Sequence, residues 1–215
     1  AGADVTTISS PEDTTVILTA GDGQAPTGSI EGFRITSTGS LLSTIGIGVN
    51  PQQTVDPKWR ISRCLVEGVA RGIQLADSYD PDAELVVEDT VITNCTEGIN
   101  VFGLGAEIRR CTITDIAGVG VFGGYPNTKF VLSDSIIAGT DWWAVQKYWN
   151  AQVTIERVLV HDNNLAGPGF CTSCGPFVMF LAEENGVYSP FTPQPGPMVM
   201  ANPLFVYPAG GDWRL

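Results

Sequence analysis

The chain has 215 residues, 16% of them charged, with 25 glycines, 14 prolines and a formal net charge of −12. Only three of its eleven basic residues are lysines (Lys58, Lys129, Lys147), so the basic stripe that nucleic acid requires is absent. No run approaches the ~20 apolar residues of a membrane-spanning helix, and no basic-then-apolar segment opens the chain, so any secretion signal is expected to have been removed.

In chain order, Thr15-Val-Ile-Leu-Thr19 reads as an initial strand, and Ile30-Glu-Gly-Phe-Arg-Ile35 as a first unit followed by a long insertion. Five segments then superimpose: Ile61-Ser-Arg-Cys-Leu-Val66, Val87-Glu-Asp-Thr-Val-Ile92, Ile108-Arg-Arg-Cys-Thr-Ile113, Leu132-Ser-Asp-Ser-Ile-Ile137 and Ile155-Glu-Arg-Val-Leu-Val160. Their first residues recur at intervals of 26, 21, 24 and 23, the period of a solenoid. Positions one, four and six are small or β-branched and suit a narrow strand-lined interior. After each of the first four units comes a second strand: Gly72-Ile-Gln-Leu75, Gly98-Ile-Asn-Val101, Gly118-Val-Gly-Val121 and Trp142-Trp-Ala-Val145. Alternation turns Ile73/Leu75, Ile99/Val101, Val119/Val121 and Trp143/Val145 to one side, with Trp143 in the core. Short strands at this spacing, without helical periodicity, stack in parallel into six or seven coils, an axis of roughly 30 Å at ~4.8 Å per coil.

Two columns of the repeat stand out. Position three reads Arg63, Asp89, Arg110, Asp134, Arg157, a self-neutralising ladder expected to fix register, or alternatively to bind an acidic polymer. Position five reads Leu65, Val91, Thr112, Ile136, Leu159 and should face outward, which calls for a cover. The chain's own segment 166–215 is the expected cover, with apolar runs at Phe177-Val-Met-Phe-Leu181 and Met198-Val-Met200; a second subunit is the alternative. The organisation expected is a single domain, with the solenoid over 1–165 and an irregular C-terminal segment over 166–215 packed on its side.

Groups that could carry chemistry are few. Asp77, Asp80 and Asp82, in the acidic stretch ending at Glu84, offer hard oxygen ligands for Ca²⁺ but lack the spacing of a helix–loop–helix calcium site, so a solvated loop is the plainer reading. His161 beside Asp162 could pair as base and orienter, yet no Ser or Cys nucleophile is placed by spacing. Trp142, Tyr148 and Trp149, with Asp141 and Gln146, could form a stacking platform for sugar rings or a protein interface. Cys64, Cys95 and Cys111 are expected inside as small apolar residues. Cys64 and Cys111 lie two coils apart, too far to bond. Cys171 and Cys174 sit outside the repeat, where a local disulfide, a metal half-site or a redox pair are open. Asn94-Cys95-Thr96 matches a glycosylation sequon.

Over about residues 28–165, these hydrophobic-x-charged units, with Asn94, Asp115, Asp162 and Asn163 at turns, resemble the right-handed parallel β-helix (pectate-lyase-like) superfamily, of secreted or surface bacterial or archaeal type. The final stretch, Asn202 to Leu215, is similar to the closing segment of many secreted bacterial β-helix proteins. There it commonly continues further, which implies a piece of a longer protein. The resemblance implies an extracellular or cell-surface setting and, for the enzymes of the fold, clustered acids, bound Ca²⁺ and a catalytic Arg, a constellation not legible here. The resulting expectation is a non-catalytic structural, adhesive or self-assembling solenoid, associating through its ends or outer face, without a cofactor. A polysaccharide lyase or hydrolase, or a carbohydrate-binding module, is the alternative.

Overall fold

A computed structural model describes residues 6–19, 27–39, 43–50, 58–78, 84–103, 105–124, 128–148, 151–161, 163 and 178–181. The chain opens with β1 (Thr6–Ser10) and β2 (Thr14–Thr19). Three-strand coils follow: β3 (Thr27–Glu31), β4 (Phe33–Ser37), β5 (Ile45–Asn50); then β6 (Lys58–Ser62), β7 (Leu65–Glu67), β8 (Arg71–Ser78). Next come β9 (Glu84–Glu88), β10 (Val91–Cys95), β11 (Glu97–Gly103) and β12 (Ala106–Arg109), β13 (Thr112–Ile116), β14 (Val119–Gly123). The last coils are β15 (Lys129–Ser133), β16 (Ile136–Thr140), β17 (Trp143–Tyr148) and β18 (Gln152–Glu156), β19 (Leu159–His161), followed by β20 (Val178–Leu181).

Every third strand stacks on the one before. Sheet A runs β1-β4-β7-β10-β13-β16-β19, sheet B runs β2-β5-β8-β11-β14-β17-β20, and sheet C runs β3-β6-β9-β12-β15-β18. This is an all-β parallel solenoid, as the repeat predicts. Three strands escaped the sequence reading: β1, whose Thr-Thr-Ile-Ser-Ser carries a single apolar residue, β5, in the stretch read as a long insertion, and β20, in the segment read as irregular.

Ile61, Val87, Ile108 and Leu132 from sheet C face Val66, Ile92, Ile113 and Ile137 from sheet A across the interior, all fully buried. Each such side chain contributes about 1.5–3 kcal/mol by leaving water. The six-residue unit is not one strand, however. Sheet C ends at position two, and Arg63, Asp89, Arg110, Asp134 and Arg157 at position three adopt φ of 49–52°. The left-handed residue turns the chain from sheet C to sheet A in one step, at a cost of about 1–2 kcal/mol for a side chain other than Gly or Asn/Asp. Its amide still donates to the next coil: Arg63 N to Glu88 O (3.2 Å), Arg110 N to Ser133 O (3.2 Å), Asp134 N to Glu156 O (3.0 Å).

Position four completes the corner. Thr90 and Ser135 accept from the amides of Cys64 (3.4 Å) and Cys111 (3.1 Å) one coil back, and donate to the carbonyls of Glu88 and Ser133. A small inward hydroxyl there satisfies a backbone group that the turn would otherwise orphan.

Sheet B corrects an alignment. Ile73 stacks on Ile99, then on Val121 and Val145, not on Val119 and Trp143. After Asp115 and Gly139 the corner from sheet A to sheet B takes one residue more than after Gly68 and Asn94, so the repeat slips there. Trp143 is therefore half-buried beside the corner, outside the core. The same register forms a glycine column, Gly72, Gly98, Gly120, ended by Ala144. A Cβ on Gly98 would lie 2.2 Å from the Gly120 carbonyl oxygen and 2.9 Å from Ile113 Cγ2, so only glycine lets sheets A and B approach so closely.

Candidate functional site

The corner between sheets C and A carries a dense cluster of paired charges. Glu88, at the end of β9, is 4% exposed and lies beneath arginine side chains: its carboxylate accepts from Arg60 Nε (2.5 Å), Arg109 Nε (2.8 Å) and Arg110 Nη2 (2.8 Å). Burial by itself would raise its pKa, but the three guanidinium hydrogen bonds outweigh it and hold the carboxyl below its ordinary value. Arg110 also clamps Asp89 through both oxygens (2.7 and 2.9 Å), and Arg157 clamps Asp134 likewise (2.5 and 2.8 Å). Hydrogen bonds from Arg110 and Arg157 lower the pKa of Asp89 and Asp134 respectively. Arg63 pairs with Glu31. In these three pairs the arginine reaches back to a carboxylate of the preceding coil.

The position-five residues stack in one outward column on sheet A, led by Arg34, which pairs with Glu67. Leu65, Val91, Thr112 and Leu159 are half-buried, and Ile136 is 6% exposed.

The outer face of sheet B is different in kind. Its outward column reads Gly48, Gln74, Asn100, Phe122, Gln146 from coil to coil. Phe122 meets Phe102 edge to face, centroids 5.9 Å apart at 80°. Trp143, half-buried, and Trp142, 46% exposed, lie at the corner with sheet A, three and four residues before Gln146 and so roughly 10–13 Å from the Phe122 row at ~3.3 Å per residue; the Trp142 amide donates to Gly118 O (3.2 Å). A polar network adjoins the Phe122 row: Arg71 donates to Glu97 (3.2 Å) and Gln74 (3.3 Å), and Asn100 Nδ2 to Glu97 (2.5 Å). Asn100 is 1% exposed, and its Oδ1 accepts no hydrogen bond from the described residues. Aromatic edges beside fixed amides and a carboxylate can stack on a flat apolar surface and bond its hydroxyl rim.

Asp141 sits with Trp142 at the corner, its amide donating to Ile116 O (2.8 Å). Tyr148 stands at the other end of β17, about 20 Å from Trp142 at ~3.3 Å per residue, so the two are not neighbours on one platform. Trp149, Asp80, Asp82, Asp162, Cys171 and Cys174 lie outside the described residues. Asp77 is placed in strand β8 rather than in a loop, and His161 ends β19 in register with Ala138. Among the described residues, no group of three or more His, Cys, Asp or Glu is placed to hold a metal ion, and no helix is long and apolar enough to cross a membrane.

Sequence reasoning missed Glu88, Arg60 and Arg109, which flank the expected ladder, and Phe102, Phe122 and Asn100. The signal for the aromatic pair existed in the period: Phe102 and Phe122 each follow the apolar residue of a second strand. Cys64, Cys95 and Cys111 are buried and unbonded, and burial pushes the Cys95 and Cys111 thiols up to about 12, so these sulfurs are packing groups. A shallow recess of about 350 Å³ on sheet C is lined by Lys58, Trp59, Arg60 and Glu84. Its cations are already engaged, Lys58 with Glu84 (3.4 Å) and Arg60 with Glu88, which leaves the aromatic face of sheet B as the better candidate.

No curated protein and no solved structure matches the chain. The family model described as "Right handed beta helix region" matches residues 45–189, more than half of the chain. Its span takes in the αL corners, the three stacked sheets and the aromatic face, and on this match the chain belongs to the right-handed β-helix family.

Proposed function

We propose that the chain is a non-catalytic adhesive or structural β-solenoid of an extracellular or cell-surface setting, which holds a sugar polymer against the outer face of sheet B. The observation that carries this reading is the outward row Gln74, Asn100, Phe122, Gln146 on one face, with Phe102 packed edge to face on Phe122 and Glu97 bonded to Asn100. Sheets C and A present a contrasting surface, where Glu88, Asp89 and Asp134 are each tied to arginine. A carboxylate so engaged, its pKa held below the ordinary value, is poorly suited to act as general acid or base.

Titration of neutral and acidic polysaccharides into the protein, with and without Ca²⁺, tests the proposal. Binding without new reducing ends or unsaturated products is expected, weakened about tenfold in Phe122→Ala, the loss of one stacking contact of ~1.4 kcal/mol. Product formation, or binding indifferent to Phe122→Ala, contradicts it.

A further inference from the structure

The three sheets do not end alike. Among the described residues, sheets C and A stop at β18 and β19, whereas sheet B goes on to β20. There Val145 pairs with Leu181, Gln146 with Phe180, Lys147 with Met179 and Tyr148 with Val178, in antiparallel sense. The other strand pairs among the described residues are parallel, as coil-on-coil stacking demands, so β20 occupies an edge that a further coil would need.

Two side chains of β17 depart from their columns at the same place. Lys147 takes the inward position held by Val49, Leu75, Val101 and Gly123 in earlier coils; it is buried, and its amine donates to Ala151 O at 2.7 Å. Burial lowers its pKa. A cation closes the apolar column where another coil would continue it. Ala144 ends the glycine column, putting a Cβ where the earlier coils bring the next carbonyl oxygen to within 2.2–2.7 Å of that position. Strand sense, core chemistry and steric room thus all oppose a further parallel strand on β17 in sheet B.

We infer that the C-terminal coil is a built stop, closed by the chain's own segment Val178–Leu181, and that this stop prevents a second copy of the chain from stacking on that end. The inference is independent of what sheet B's outer face binds. The first coil has the apolar content to stack: Ile8, Val16 and Leu18 are only partly buried against the core and Ile17 is 59% exposed.

Light scattering over a range of concentrations tests it. The natural chain should show the mass of a single copy. Ala144→Gly/Lys147→Val combined with Met179→Pro should keep its far-UV β-sheet spectrum and gain at least twofold in mass, rising with concentration. A variant that keeps the spectrum and the single-copy mass overturns the inference, as does end-to-end growth of the natural chain. Where the proline variant does not fold, Gln146→Cys/Phe180→Cys in the Ala144→Gly/Lys147→Val background carries the test, since antiparallel partners lie within disulfide reach. Oxidised protein should stay single and reduced protein should assemble. Equal masses in the two states overturn the inference.

Discussion

Coils three to five and the coil that ends the solenoid are built from the same repeat and differ in what the repeat is made to do. In the inner coils Val66, Ile92 and Ile113 are fully buried, a glycine (Gly72, Gly98, Gly120) is the second residue of each sheet B strand, and corner amides find acceptors one coil on. In the last coils Val153 and Ile155 are only partly buried, alanine replaces glycine, lysine enters the interior column and an antiparallel strand lies on the edge. Stability therefore resides in strict columns, and the departures from them mark where the chain stops or meets something else. The aromatic residues of sheet B make the same point, since Phe122 stands between Asn100 and Gln146 in its column.

The contrast is most sharply tested by Gly98→Ala against Ala144→Gly. A Cβ at 98 meets a backbone oxygen that cannot swing away, so urea unfolding should show a loss of about 3 kcal/mol, while Ala144→Gly should cost about 1 kcal/mol or less. Equal costs would dissolve the distinction between inner and last coil.

Glu88→Gln ranks next, at about 2 kcal/mol near neutral pH, because three arginines lose their shared carboxylate. Its pH signature has a definite sign. The folded-state pKa lies below the ordinary 4.5, so the stabilisation is fully present above that value and is lost as pH falls through the depressed folded value. Acid unfolding curves of Glu88→Gln should lack that part of the slope.

Asn163→Ala should cost about 1–2 kcal/mol, since its side chain accepts from Thr140 N (3.1 Å) and donates to Ile137 O (3.0 Å), two buried backbone groups. The smallest effect is expected of Arg157→Gly, whose thermal or urea unfolding midpoint should stay close to that of the natural chain. Its ion pair with Asp134 is solvent-exposed, and glycine relieves the left-handed φ of 51°.

The sequence showed the coil because small β-branched residues recur at one-coil spacing, and it placed the inward positions of the five units correctly. It hid the corner at position three, because Arg63, Arg110 and Arg157 are unusual choices for a positive φ that Gly or Asn advertises. It also hid the slip at Val121, where one residue in a turn shifts a whole strand. The aromatic face was half legible. Trp142 announced itself by type, whereas Phe102 and Phe122 come together only because parallel coils bring residues twenty apart into contact. Glu88 was passed over because position two varies between Ser, Glu and Arg from unit to unit.

Native-state amide hydrogen exchange, resolved strand by strand, tests the central contrast most directly. Amides of β11 and β14 should exchange only with global unfolding, while β20 and the β17 edge it covers should exchange earlier through a local opening that leaves the inner coils protected. Protection of β20 equal to that of β11 would contradict the account.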